Sequence, residues 1–349
     1  RFNVRAGGLT STSTYGGPGR SFGSGQGGGG SPANWVFLHD VTLQTLESIS
    51  PKGSTIHDPR SGETRTRNSQ ALADDMNLTS MDTTSKQSIS AICSNLQTLG
   101  QAVNDCIRAS GGSLNLSKCS WRCSIPSKSR GKMDVLEIER EMHIIPTPGS
   151  PVVTIPRLSK STPHRQLGVQ IVPSMSVKPQ VALLQKRCRA FAATISRNSL
   201  STHQSSVVFE HYIAPSIRFP CTTHAIPSSD IDKLQNIVLK PLLSKLGVAS
   251  SFARHALYAP SKCGGANLRC WSLEVLGNQL GILISHFDAN SWLGFVLRAS
   301  ANFSQLEWGR RTHFLASSTD LPDQICTTTW ITMIQKNYQQ HNIRLMGGW

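Results

Sequence analysis

Apolar residues recur at helical spacing in four stretches of the chain. Trp35, Leu38, Leu46 and Ile49 fall on one helix face, interrupted by Thr42 and Thr45, and Ser31-Pro32 ahead of them supplies an N-cap followed by proline at the first helical position. Ile89, Ile92, Leu96, Leu99, Val103 and Ile107 repeat at intervals that predict an amphipathic helix closed by Gly111-Gly112. Val181, Leu184, Cys188, Phe191 and Ile195 form a third stripe, with Lys186 and Arg189 on another face. Leu234, Ile237, Val238, Leu242 and Leu246 make a fourth over residues 230–247, interrupted by Pro241.

Between these helices the period shortens to two. SLNLSKCSW (113–121) alternates, with Leu114 and Leu116 on one face, Asn115 and Ser117 on the other, and Lys118 near its end. MDVLEIE (133–139) and PVVTIP (151–156) read as two more strands, and RQLGVQI (165–171) as an edge strand bent at Leu167-Gly168. Residues 54–66 are polar with Pro and Gly and read as a loop ahead of QALADDMNLT (70–79), a hairpin with Asp74 and Asp75 at its tip. No internal repeat interrupts this order.

The first 32 residues are rich in Gly, Ser and Thr, a linker composition, yet their end GSGQGGGGSPANW (23–35) runs straight into a helix start. Free N–H groups there favour a phosphate. The stretch lacks the Gly-Lys-Ser/Thr of a nucleotide-binding phosphate loop.

At 349 residues the chain holds one large or two ordinary domains, and no run of apolar residues is long enough to span a membrane, so a soluble protein without a membrane partner is expected. It begins with Arg1 and shows no signal peptide, and reads as a piece of something longer. Nine cysteines are scattered through a chain too large to need disulfide staples. The close pairs Cys119/Cys123 and Cys263/Cys270 lack the further ligands that would complete a zinc site.

Charge changes the picture more. Lys and Arg number 35 against 20 Asp and Glu, a net +15. Residues 1–150 carry 15 basic and 12 acidic side chains and residues 151–349 carry 20 and 8, so +12 of the excess lies in the second part. No acid occurs between Glu141 and Glu210, an interval holding Arg157, Lys160, Arg165, Lys178, Lys186, Arg187, Arg189 and Arg197. Such charge suits a salt-sensitive contact with nucleic-acid phosphates, or a solvated basic face.

Two adjacent carboxylates on a hairpin tip suit two-metal nucleotidyl transfer, in which paired divalent ions activate a primer hydroxyl and stabilise the leaving pyrophosphate. The ordered set GQGGGGSP, LADD, GGSLNLSKC and QLGV resembles palm motifs B, C, D and E of the reverse transcriptases of eukaryotic retrotransposons. The resemblance spans about residues 20–315, with weaker pieces at YAPSKCGGANL (258–268) and NQLGILI (278–284). It implies an α+β fold: a partial polymerase palm, an antiparallel sheet with packed helices, followed by a mostly α-helical thumb and connection region. The expected domains are a flexible remnant over 1–20, the palm over 21–172, a helical thumb over 173–255 and a helical extension over 256–349.

Roles follow residue by residue from the resemblance. Gln26, Gly27, Ser31 and Pro32 lie against the incoming nucleotide and template base. Asp74 and Asp75 hold Mg2+ or Mn2+, and Lys118 lies near the nucleotide phosphates as a proton donor to pyrophosphate. Leu167 and Gly168 grip the primer strand, and Arg165, Lys178, Lys186 and Arg189 contact the nucleic-acid backbone. The implied partners are an RNA template, a DNA or RNA primer and deoxynucleoside triphosphates, in nucleus or cytoplasm. Gly28, Gly29 and Gly30 replace the family's Asp-Pro-Leu, and Leu72 replaces an aromatic residue. The family's other metal-binding Asp precedes the Gly-rich loop, so this chain is expected to be inactive alone. An RNA-templated RNA polymerase shares the palm chemistry, and a non-catalytic nucleic-acid-binding remnant of a decayed element is the alternative from another class.

Overall fold

The computed structural model describes residues 5–6, 9–10, 31–50, 53–72, 75–81, 89–129, 132–174, 176–309, 313, 315 and 329–343. The chain divides into two compact units, one of Arg1–Ile56 with Thr64–Ser159, the other of His57–Glu63 with Lys160–Trp349.

In the first unit a short ribbon of β1 (Arg5–Ala6) and β2 (Leu9–Thr10) precedes α1 (Ser31–Ile49), which starts where Ser31-Pro32 predicts. Its inner face differs from the expected stripe: Thr42 is buried beside Leu46, whereas Ile49 is exposed. Thr42 can lie inside because its hydroxyl donates to the Leu38 carbonyl at 2.8 Å, satisfying a group that burial would otherwise strand.

The polar stretch 54–66 is a loop only over 58–63, and its two ends are strands. They pair as a hairpin, β3 (Ser54–His57) with β4 (Thr64–Arg67). Thr55, Ile56, Thr64 and Thr66 are β-branched and suit a pleated surface despite the polar composition, and the Thr55 and Thr66 hydroxyls meet at 2.9 Å. Gly53 opens the hairpin where a Cβ would fall 2.2 Å from the Arg67 carbonyl oxygen.

β5 (Ser69–Leu72) and β6 (Asp75–Leu78) form the second hairpin, and α2 (Ile89–Ala109) follows as the amphipathic pattern predicts. Leu46, Leu99 and Val103 make a core between α1 and α2, and Met76 and Leu78 of β6 pack against it. A second core joins Cys93 of α2 to Trp121, Met142, Ile144 and Ile155.

The strand expected over 113–121 does not form. The Lys118 N–H donates to the Asn115 carbonyl at 3.0 Å, and the Ser117 hydroxyl donates to the Asn115 side chain at 2.7 Å, closing a turn. Asn is the residue that makes this possible, since its short amide competes for local bonds. Leu116 and Cys119 still point inward onto the Trp121 core.

β7 (Ser124–Ser129) and β8 (Lys132–Glu137) pair next, then β9 (Met142–Ile144) and β10 (Val153–Ile155), accounting for the expected strands at 133–139 and 151–156. The outer edge of β9 is covered by side-chain amides of α2. Gln97 Oε1 accepts from the His143 N–H at 2.8 Å while its Nε2 donates to the His143 carbonyl. Gln101 treats Ile145 identically, at 2.9 and 3.0 Å, and Asn104 donates to the Ile145 and Pro146 carbonyls, each at 3.1 Å. Residues one helical turn apart thus satisfy alternate residues of a strand edge.

The second unit opens with β11 (His164–Gln166) and β12 (Val169–Ile171) and is otherwise helical. α3 (Lys178–Arg197), α4 (Thr202–Val207), a π-helical stretch Val208–Ile213, α5 (Ala214–Thr223) and α6 (Ser228–Lys245) enclose its main core. Leu184, Cys188 and Ile195 of α3 meet Leu234, Val238 and Leu242 of α6 there. α6 runs on through Pro241, which the sequence pattern treats as an interruption.

α7 (Arg254–Tyr258), a 3-10 turn Ser261–Cys263, α8 (Trp271–His286), α9 (Trp292–Trp308) and α10 (Trp330–Gln340) complete the unit. Trp271 stacks on Phe209 with ring centroids 5.4 Å apart. Gln235 brackets the entry to α8, donating to the Arg269 carbonyl at 2.7 Å and accepting from the Trp271 N–H at 3.0 Å. Helices with small antiparallel ribbons make the chain α+β, and among the described residues every sheet is two-stranded. No helix among them is long and apolar enough to cross a membrane.

Candidate functional site

In the first unit the β5–β6 hairpin carries Asp75. Its register pairs Ser69 with Leu78, Ala71 with Met76 and Leu72 with Asp75, so Ala73 and Asp74 alone intervene. Alternation along β6 puts Met76 and Leu78 on the helix-backed face and Asp75 with Asn77 on the other. Asp75 is exposed. Asp74, Gln26 and Gly27 lie outside the described residues, and Ser31 and Pro32 contribute their backbone as the first turn of α1.

Sequence reasoning missed the residue that seats this hairpin. Asn68, at its root, is 1% exposed, and its Nδ2 donates to the carbonyls of Leu46 at 3.0 Å and Ser50 at 2.6 Å. Its own Oδ1 accepts from the Ser69 hydroxyl at 2.8 Å, and its carbonyl accepts from the Thr79 N–H at 2.7 Å. The end of α1 and both sides of the hairpin thereby converge on one residue. Nothing in the periodicity marks it, because the contact crosses about twenty residues of sequence. Lys118 is exposed on the turn that replaces the expected strand.

In the second unit the Leu167-Gly168 step is a hairpin turn rather than a bend in one strand. Gln166 pairs with Val169, leaving two turn residues, and both have positive φ, 49° at Leu167 and 85° at Gly168. A two-residue turn needs that backbone to match the twist of its strands. Glycine adopts it freely, whereas leucine is strained there. Leu167 is also 45% exposed, and Arg165 is exposed one strand position away from the turn's start.

β12 packs on α3. On that helix Lys178, Lys186, Arg189 and Arg197 are all exposed. At 100° per residue they share an arc of about 100° and extend over about 28 Å. Leu184, Cys188 and Ile195 occupy the opposite, buried side. No acid lies on α3, and among the described residues none of these four cations forms an ion pair. Arg187, named with them in the basic interval, is only partly exposed.

A hard divalent cation takes several oxygen ligands. The Asp75 carboxylate is an oxygen donor of that kind, while among the described residues no group of three His, Cys, Asp or Glu converges on a metal position. Cys93 and Cys123 bring their sulfurs to 3.6 Å as free thiols, a pairing that sequence spacing did not suggest. Comparison of the chain with protein-family models and with curated proteins returns no match.

Proposed function

We propose that the chain is the palm-and-thumb portion of an RNA-directed DNA polymerase of a retrotransposon, acting on an RNA template and a DNA or RNA primer with deoxynucleoside triphosphates. The observation that carries this reading is the acidic hairpin, whose register leaves Ala73 and Asp74 between Leu72 and Asp75 and whose apolar face is seated on α1 and α2. A ribbon packed on two helices is a firm support for a carboxylate such as Asp75, and reacting groups need such support. Asp74 and Asp75 are the proposed ligands of Mg2+ or Mn2+, which when bound supplies the charge for two-metal nucleotidyl transfer. Lys118 is the proposed proton donor, and Gln26, Gly27, Ser31 and Pro32 the proposed nucleotide and template contacts.

On this reading residues 21–172 are palm, 173–255 thumb and 256–349 a helical extension. The Leu167-Gly168 turn grips the primer strand, and the α3 stripe takes its phosphates. The α3 stripe also favours a second reading, nucleic-acid binding without catalysis, because phosphate contact needs cations and no carboxylates.

Primer extension separates the two. Under the first reading the chain alone binds an RNA template annealed to a DNA primer without extending it. Extension then appears when a polypeptide carrying the family's upstream metal-binding Asp is supplied, and Asp74→Asn abolishes it. Binding with no extension in either condition selects the second reading, and absence of binding rejects both.

A further inference from the structure

β12 presents one unpaired edge, and Gln170 sits in its middle. Both backbone groups of Gln170 are taken by side chains from two different helical segments. Gln180, in the first turn of α3, accepts from the Gln170 N–H through Oε1 at 2.7 Å. His224, immediately after α5, donates from Nε2 to the Gln170 carbonyl at 3.0 Å. Directly across the hairpin from Gln170 is Arg165, and the strained Leu167-Gly168 turn follows at once.

The clasp is more than a filler of hydrogen-bonding capacity. Gln180 is fully buried, yet its Nε2 has no hydrogen-bond partner among the described residues. Buried amides are ordinarily satisfied at both ends. A leucine or methionine at 180 would continue the apolar stripe of Leu184, Cys188 and Ile195 without that orphaned donor, so what glutamine adds at this position is its acceptor for Gln170. The turn that the clasp holds is itself unusual, since an exposed leucine occupies a left-handed position that Asn or Gly fills without strain. Strain of this kind persists only where surrounding contacts over-determine it.

We propose that Gln180 and His224 are positioning residues that present Leu167 and Arg165 to a nucleic-acid strand, Leu167 against a sugar or base and Arg165 against a phosphate. The inference rests on the nucleic-acid reading above. It adds the device that fixes the turn's attitude, at the end of α3 where the basic stripe begins with Lys178.

The test uses the full chain and a fluorescent primer–template, an RNA strand annealed to a DNA primer. Affinity is measured by anisotropy over a series of salt concentrations, and amide hydrogen exchange is followed over residues 164–171. Gln180→Met and His224→Phe are expected to speed exchange in the hairpin and to weaken binding about tenfold, as loss of a fixing hydrogen bond does. The salt dependence should stay unchanged, because the phosphate-contacting cations remain. His224→Gln, which keeps a donor, is expected to restore both affinity and protection, a rescue that loss of packing alone would not show. Faster hairpin exchange with wild-type affinity in both variants overturns the positioning role and leaves the nucleic-acid reading standing. No binding by the wild-type chain overturns that reading and the positioning role with it. Should Gln180→Met fail to fold, the His224→Phe and His224→Gln pair decides the matter.

Discussion

The Asn68 side chain donates at 2.6 Å to the carbonyl of Ser50, the residue just beyond α1, and so ties that helix end to the root of the acidic hairpin. The same nitrogen reaches the Leu46 carbonyl, one turn earlier. Carbonyls at a helix end are short of intrahelical donors; here the Leu46 carbonyl accepts from the Ser50 N–H, and the buried amide adds a second bond there and one at the Ser50 carbonyl. Asn68→Ala is therefore expected to cost about 1–3 kcal/mol, through loss of the two buried amide hydrogen bonds at the end of α1. Urea denaturation of the two proteins checks this, and an unchanged midpoint would show that water replaces the amide.

The α3 stripe makes a quantitative prediction about salt. Each phosphate contact contributes about 0.7 to 0.9 to the slope of log affinity against log salt. Replacing Lys178, Lys186, Arg189 and Arg197 one at a time with Gln should lower that slope by about one such increment each if all four meet phosphates. Because all four are exposed, melting temperature should hardly move. A slope that ignores these substitutions places the nucleic acid elsewhere.

Acid should weaken the second unit. Burial pushes the His224 imidazole below its ordinary value of 6.5, against the opposing effect of its bond to the Gln170 carbonyl. Burial, helped by Arg60, pushes His313 down as well. Below 6.5 the unfolded chain then binds protons that the folded chain refuses, so stability rises with pH through this window. The stabilisation is complete above the unfolded value and is lost as pH falls beneath it. Melting curves from about pH 7.5 down to about pH 5.5 should show the decline, and His224→Gln should flatten part of it.

Leu167 offers a gain in stability. Left-handed backbone costs an L-residue about 1–2 kcal/mol, and Asn tolerates it through local hydrogen bonds. Leu167→Asn makes the turn Asn-Gly, the sequence that two-residue hairpin turns favour. It is expected to stabilise the chain by about 1 kcal/mol in urea denaturation. Weaker primer–template binding alongside greater stability would identify leucine at this turn as serving recognition rather than the fold.

How far the sequence speaks depends on the range of the interaction. The spacing of Ile89 to Ile107 and of Val181 to Ile195 announces α2 and α3, because a period of about 3.6 is a property of the helix alone. Ser31-Pro32 likewise marks the start of α1, and QALADDMNLT its hairpin, through chemistry confined to neighbouring residues. The basic interval between Glu141 and Glu210 is visible as composition, but the gathering of Lys178, Lys186, Arg189 and Arg197 on one exposed face of α3 follows only once the buried side of that helix is known.

Where signals compete, contacts that periodicity does not record decided the outcome, first local ones and then tertiary ones. LNLSKC alternates like a strand, yet the Asn115 carbonyl and side chain capture Lys118 and Ser117 in a turn while Leu116 and Cys119 keep their inward positions. Polar residues 54–57 and 64–67 pair as strands, with Thr55 facing Thr66 across the hairpin. Asn68, Gln97, Gln101, Gln180 and Gln235 are unremarkable in the sequence. Each acquires its role by meeting a distant backbone group, and no pattern of polarity along the chain records which carbonyl or N–H will be left unpaired once the helices and ribbons have packed.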